Sequence, residues 1–445
     1  MTIQDKCRVL LIAPTALDFS GRPIKEKRLH LPGLTLPMLA AITPGECEVR
    51  LIYETVEDIP FDEPWDIVGV TSMGSGIVRA WQICDQFRAK GVKTVIGGIG
   101  ASLGEPDWSL THADAVVQGE GESTWPEVVR DAIAGKMRHI YRTESLASIA
   151  DLPVPRYDLM NRRVLGFWRP VQATRGCPYS CSFCSVTSFF SNTYRKRPVP
   201  DVLRDVRAAR ESGSRYIAFI DDNLTADFDY CAELFEALIP QRIIWMSQAS
   251  LQISENIPLL KLAHRSGCRL LSFGIESLNL DSLEMIAKSW NQPTRYHQAV
   301  KTLRACGIEV STEMILGLDG DDEATFERTY RFIMEAKIAV PRVHILTPVP
   351  GTPLFARLQQ SNRITNTNFA DYTGGKAVFQ PAGLDPDVLE SSYWQLYRRL
   401  FSWTAILRRV WPNSARLGPY MRAVVWISNI RYHFHIKRRI SPGIL

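Results

Sequence analysis

Nowhere in the 445 residues do eighteen uncharged apolar residues run together, so no segment reads as a transmembrane helix. The start, Met1-Thr-Ile-Gln-Asp-Lys6, is polar with no long apolar run behind it. A secretory leader is not expected, nor the oxidising compartment that favours disulfides; the expected location is the cytoplasm. Paired zinc knuckles are missing too, since no His or Cys occurs between Cys184 and Cys231. Acidic residues are absent from 391–445, which carry ten Lys or Arg. The net charge of +5 therefore divides into +10 there and −5 over the preceding 390 residues.

What is present stands out against these absences. Cys177, Cys181 and Cys184 fall within eight residues, in Thr-Arg-Gly-Cys-Pro-Tyr-Ser-Cys-Ser-Phe-Cys-Ser. Three thiolates on one tight loop can hold three irons of a cubic 4Fe–4S cluster. Electron-transfer ferredoxins close the fourth iron with another Cys; without one nearby, that iron is open to a substrate or cofactor. The other six cysteines, Cys7, Cys47, Cys84, Cys231, Cys268 and Cys306, are scattered singly and read as inert core thiols.

Ahead of the cysteines, short apolar strands alternate with helical stretches. Strands are expected at Arg8–Ala13, Val49–Tyr53, Ile67–Thr71, Thr94–Ile96 and Ala115–Gln118, with a helix over Ile77–Lys90. This alternation predicts a parallel sheet with helices on both faces, and ligands bind such sheets at the carboxyl ends of the strands. The loops there hold Thr71 and Ser72, then Gly97 and Gly98, then Gly119 and Glu120. Glycines at those points either admit a ligand to the backbone or simply make turns.

A connector over 137–165 carries Asp151-Leu-Pro-Val-Pro-Arg-Tyr-Asp158, whose prolines disfavour regular structure. The βα rhythm then resumes. Strands are expected at Pro170–Thr174, Tyr216–Asp221, Ile243–Gln248, Leu270–Gly274, Glu309–Ile315 and Arg342–Leu346. Six strand–helix units predict a partial barrel, with function at the carboxyl ends of its strands. Those ends carry Asp221-Asp222-Asn223, Gln248, Glu276-Ser277 and a run through Gly317 to Glu323. A lone carboxylate after a strand is usually a helix cap; several polar ends around one mouth suggest a site. Tyr194, Arg195, Lys196 and Arg197 either line an entrance or face solvent, the latter being favoured.

Residues 356–445 abandon the pattern. Leu389–Arg409 reads as one amphipathic helix, and Arg422–Arg439 carries Trp426, Tyr432, Phe434 and a basic end. These segments suit a helical cap over the barrel with a solvated basic face, or contact with an anionic membrane. No RNA-binding module is present and the aromatics look core-facing, so nucleic acid ranks last.

The cysteine loop, the βα units behind it and Gly-Ile-Glu-Ser resemble the radical S-adenosylmethionine (SAM) superfamily over about 166–355. The preceding segment resembles the cobalamin-binding domain found ahead of many such enzymes. The resemblance implies an α/β fold: a Rossmann-like cobalamin-binding domain at 1–136, the linker, a partial (β/α)6 barrel at 166–355 and a helical segment at 356–445. It implies that Cys177, Cys181 and Cys184 ligate a 4Fe–4S cluster whose open iron takes SAM, and that Phe183 lies near the adenine. It implies that the Asp221-Asp222-Asn223 triplet, in place of the usual Gly-Gly-Glu, meets the methionine amino group. Gln248 joins the strand ends that fit SAM, Glu276 and Ser277 meet the ribose, and the strand through Gly317 lies beside the adenine. Thr71, Ser72, Gly97, Gly98, Gly119 and Glu120 become cobalamin contacts. Better-known cobalamin domains carry a ligating His after the first strand; here that position is Ser20 and the nearest His is His30, so a corrin without a protein lower ligand is expected. The implied activity is reductive cleavage of SAM to a 5′-deoxyadenosyl radical. Its implied use is methylation of an unactivated carbon in a small-molecule, lipid-like, isoprenoid or tetrapyrrole substrate, with flavodoxin or ferredoxin as electron donor. Cyclisation, rearrangement or oxygenation on the same scaffold is the alternative. A cobalamin-free radical enzyme and an iron–sulfur carrier or sensor are the competitors, and the residues name no catalytic acid or base.

Overall fold

In the computed structural model, residues 6–143, 145–414 and 417–441 are described. The polar start Met1–Asp5 and the last four residues lie outside them. Six strands form the first sheet: β1 (Cys7–Ala13), β2 (Cys47–Tyr53), β3 (Ile67–Thr71), β4 (Lys93–Gly97), β5 (Ala115–Gln118) and β6 (Ile140–Arg142). Their order is β2-β1-β3-β4-β5-β6, every pair parallel. Buried apolar side chains on both faces explain why β1 and β3 read as unbroken apolar runs. Gly69 in β3 has no room for a side chain, because a Cβ would lie 2.9 Å from Leu11 and from Trp125. The edge strand β6 lies inside the expected linker and leaves no periodic mark in its three residues.

The second sheet is the partial barrel. After β7 (Trp168–Val171) the chain forms a small antiparallel hairpin, β8 (Thr174–Gly176) with β9 (Tyr194–Lys196). It then runs through β10 (Tyr216–Phe219), β11 (Ile244–Ala249), β12 (Cys268–Glu276), β13 (Glu309–Leu316) and β14 (Val340–Ile345). The order β14-β13-β12-β11-β10-β7 is sequential, parallel and open. The first barrel strand is expected to reach Thr174 but stops at Val171. The Asp221 carboxylate accepts the backbone N–H groups of Ala173 and Thr174 and the Thr174 hydroxyl, and so draws the chain off the sheet.

Beyond the barrel, the single helix expected over Leu389–Arg409 is two, Pro386–Leu400 and Trp403–Ser414. Ser402 Oγ accepts the Ala405 N–H and starts the second helix. Arg409 folds back, fully buried, to donate to the freed Leu400 carbonyl at 2.9 Å and to Ile338 O at 2.7 Å. It belongs to the interior and not to a solvated basic face. Tyr393, Trp394 and Tyr397 are core residues as expected, but Phe434 is exposed. No helix among the described residues is long and apolar enough to cross a membrane.

Candidate functional site

The cysteine loop grows out of the hairpin. Gly176, at φ +85°, must be glycine, because a Cβ there would meet Thr193 O at 2.1 Å. From it the chain runs through Cys177, Cys181 and Cys184 into a short helix, Ser185–Phe190. All three cysteines line a cavity of ≈ 470 Å³ at the barrel mouth. Burial pushes the Cys177 thiol up and the Cys181 thiol up to about 12, and each is raised further by the charge of its neighbours in the loop. Among the described residues no three His, Cys, Asp or Glu side chains are arranged to hold a single metal ion. A cubic cluster asks for something different, one thiolate on each of three irons. The surroundings fit such a group. Asn223 points its amide nitrogen at Cys177 Sγ at 3.6 Å, and its buried Oδ1 has no partner.

Charged side chains line the rest of this cavity. A register shift in β12 between Gly274 and Glu276 ends the strand with Glu276 in the left-handed region, at φ +63°. Its carboxylate accepts from Lys288 Nζ at 2.6 Å. Burial works against the Lys288 ammonium, but Glu276 and Cys181 outweigh it and raise its pKa. From β13, Glu313 accepts from Arg342 and lies 3.1 Å from His344 Nε2. Burial pushes Glu313 up, yet Arg342 and His344 hold it below the ordinary carboxylate range. Tyr179 stacks on Trp290 with centroids 4.2 Å apart, and both form part of the wall.

The carboxyl ends of β3, β4 and β5 wall a second cavity of ≈ 270 Å³. Its wall is mostly apolar, with Leu34, Leu36, Met38, Leu39 and Trp125 beside a strip of glycines, and its charged residues are Glu120, Glu122, Arg175 and Asp222. Gly98, at φ +93°, passes so close to the β3 loop that a Cβ would meet Ser72 O at 2.6 Å. The Ser72 hydroxyl donates to Gly97 O and accepts from Ala101 N, so it holds the loop together. No histidine is among its lining residues: Ser20 is exposed on a turn held by the Asp18 carboxylate, and His30 lies elsewhere.

The two cavities meet. Barrel residues Gln172, Arg175, Phe189 and Ile220 close the second cavity, and Asp222 lines both. Asp222 accepts the Gly176 N–H at 2.9 Å, and burial raises its pKa. The seam is locked by Glu120, whose carboxylate accepts from Arg175 at 2.7 Å and from Arg195 at 2.7 and 2.8 Å, while Glu122 takes the other arm of Arg175. Burial pushes Glu120 up, but these guanidinium bonds win and hold it below the usual carboxylate range.

Of the residues singled out in the sequence, Thr71, Ser72, Gly97, Gly98, Gly119 and Glu120 all line the second cavity. Cys177, Cys181, Cys184, Phe183, Asp222, Asn223, Gln248 and Glu276 line the barrel cavity. Asp221, Ser277 and Gly317 line neither. Asp221 pins the hairpin, and burial pushes its pKa up to about 7. The Ser277 hydroxyl accepts the Asn279 N–H. Gly317, at φ +90°, makes way for Leu389 of the capping helix, 2.7 Å from where a Cβ would stand. The run Tyr194–Lys196–Arg197 is not a free basic surface: Arg195 pairs with Glu120, Lys196 with Asp227, and Arg197, 1% exposed, with Asp205. Cys7 and Cys47 are not solitary either; they face each other in register across β1 and β2, and burial, then Cys47, pushes the Cys7 thiol up to about 12. Lys288, Trp290, Glu313 and His344 were missed. Glu313 and the pair Arg342/His344 had a signal: polar residues recurring at period two inside apolar strands.

Residues 171–333 match the family model described as the Radical SAM superfamily. The chain is 31% identical over 386 residues to bacteriochlorophyllide d C-12(1)-methyltransferase of Chlorobaculum tepidum, covering 85% of this chain and 84% of that relative. It is 25% identical to bacteriochlorophyllide d C-8(2)-methyltransferase of the same organism, covering 93% and 95%. The fold is similar to that of the radical S-adenosylmethionine methyltransferase TsrM from Kitasatospora setae, solved with cobalamin and a 4Fe–4S cluster, at a TM-score of 0.64 and 16% identity over 87% of this chain and 90% of that one. With this degree of relationship over most of its length, the chain is an enzyme that belongs to the radical SAM superfamily.

Proposed function

We propose that the enzyme methylates a carbon of a hydrophobic, tetrapyrrole-like acceptor, with SAM and a 4Fe–4S cluster at the barrel mouth and cobalamin seated with one face against the cavity behind it. The observation that carries this reading is the junction of the two cavities at Asp222. Bound there, the groups supply a reducing electron, a 5′-deoxyadenosyl radical and a methyl carrier. In this reading Cys177, Cys181 and Cys184 hold the cluster, and Asn223 steadies Cys177. Glu276 and Lys288 present charge to the polar end of SAM, and Phe183 and the Tyr179–Trp290 stack exclude water from the adenine side. Gly97, Gly98 and Gly119 give the corrin side a strip of backbone. The acceptor class is supported by the names of the two relatives from Chlorobaculum tepidum.

The division at 1–136, 137–165, 166–355 and 356–445 belongs to this proposal, as does a one-electron donor of the flavodoxin or ferredoxin class, which the chemistry needs. So does peripheral contact with an anionic membrane. It is supported by Trp403, Leu407 and Trp411, exposed by 48%, 48% and 69% at four-residue intervals on one helix, in a segment without acidic residues.

Anaerobic reconstitution tests the reading. Protein grown with hydroxocobalamin should retain corrin absorbance. With dithionite, SAM and bacteriochlorophyllide d it should form 5′-deoxyadenosine, S-adenosylhomocysteine and a methylated chlorin. Formation of neither SAM product would contradict it.

A further inference from the structure

A third cavity adjoins the barrel. It measures ≈ 800 Å³ and lies between the N-terminal helices Gly76–Arg88 and Pro106–Leu110 and the segment that follows the last barrel strand. Aromatic rings wall it in sequence. Trp108 and Phe369 have centroids 5.0 Å apart, Trp81 and Phe369 6.2 Å, and Phe369 and Tyr372 5.3 Å. Tyr372 lines both this cavity and the barrel cavity, so the two share this residue in their walls. Its hydroxyl donates to Asn366 O at 2.8 Å. Trp108 stays 37% exposed on the open wall, unlike a ring serving only to pack two elements. The lining holds one carboxylate, Asp107, and no cation.

Space decides what this room is for. The barrel cavity of ≈ 470 Å³ lies within the ordinary range for one small ligand, roughly 300–1,000 Å³. With SAM in it, an acceptor of several fused rings cannot also fit. Aromatic walls without cations suit an uncharged hydrocarbon body and not a phosphate or carboxylate. We infer that the cavity walled by Trp81, Trp108, Phe369 and Tyr372 is a substrate subsite that holds the apolar body of the methyl acceptor while its reacting carbon passes Tyr372 into the barrel. This rests on the reading of the barrel cavity as the SAM site.

The test uses the full-length, cluster-loaded enzyme with two probes, pyrenemethanol as a neutral, flat polycyclic alcohol and bacteriochlorophyllide d. Trp108→Ala removes a wall, and Thr367→Trp fills the room from an exposed lining position. Cluster loading and Tm report that each variant is folded. Both variants should raise the Kd of both probes roughly tenfold, and Lys288→Met should leave pyrenemethanol binding unchanged. Absence of pyrenemethanol binding to the parent enzyme, or equal binding to all variants, overturns the subsite. So does methylation of bacteriochlorophyllide d with an unchanged KM in both variants, an outcome that leaves the proposed function standing. Pyrenemethanol binding that both variants weaken, with no binding of bacteriochlorophyllide d, supports the subsite and removes the tetrapyrrole from the proposed function instead.

Discussion

The mouth of the N-terminal sheet is lined mostly by apolar side chains and glycines, and the mouth of the barrel carries buried ion pairs beside its thiols. At the first, glycine loops and apolar side chains such as Leu36, Met38 and Trp125 form the wall, and the charges, Glu120 and Glu122 paired with Arg175, gather at the seam with the barrel. At the second, Glu276 with Lys288 and Glu313 with His344 place four ionisable side chains in the cavity that the three thiols line, and Arg342 backs Glu313 from outside it. An apolar wall of ≈ 270 Å³ receives one face of a large rigid ligand and not its whole body; a charged wall suits a small zwitterion held by its ends. The two mouths differ in energetics as well. In the barrel, substitutions should act through lost or unbalanced charge. On the glycine wall they should act through backbone collisions.

The largest effect that separates them is expected at the thiols. Cys181→Ala should abolish 5′-deoxyadenosine formation and cluster absorbance together, while corrin retention survives; loss of both cofactors would mean that the mouths are not separable. Next comes the seam. Glu120→Ala leaves Arg175 and Arg195 without their shared carboxylate and should destabilise the protein by about 3–5 kcal/mol, read as a fall in denaturant midpoint. On the glycine wall, Gly98→Ala forces a Cβ to within 2.6 Å of Ser72 O at a φ of +93°. It should cost about 1–3 kcal/mol and weaken corrin retention without touching the cluster spectrum.

A pair of pH slopes of opposite sign also separates the seam from the barrel. Glu120 has its pKa depressed in the folded protein. Its contribution is present above the ordinary carboxylate range and is lost as pH falls through the folded value. Asp221 is raised to about 7. Its contribution is fully present below the unfolded carboxylate pKa of about 4 and is lost as pH rises toward 7. Tm profiles of Glu120→Gln and Asp221→Asn should therefore flatten at opposite ends, the first at low pH and the second between about 4 and 7.

The same contrast explains what was legible in the sequence. The glycine wall is local: each loop follows its own strand, so Thr71 through Glu120 could be found by placing the strands. The cysteine triad is local as well. The charged wall is assembled across the barrel. Glu276 meets a lysine twelve residues on, and Glu313 meets Arg342 from the next strand, pairings that spacing alone does not reveal. Within Asp221-Asp222-Asn223 the sequence offered three equivalent polar residues. Only folding separates Asp221, turned to the Ala173 and Thr174 amides, from the two that reach the cavity. Gly317 also answers to a distant partner: its missing side chain makes room for Leu389, seventy-two residues away in the capping helix.

The junction at Asp222 is tested most directly by electron paramagnetic resonance of the reduced enzyme carrying both the cluster and cob(II)alamin. Adjacent cavities predict signals split or broadened by magnetic coupling, which disappears when Cys181→Ala removes the cluster. Two unperturbed signals, identical to those of enzyme loaded with either group alone, would contradict the arrangement.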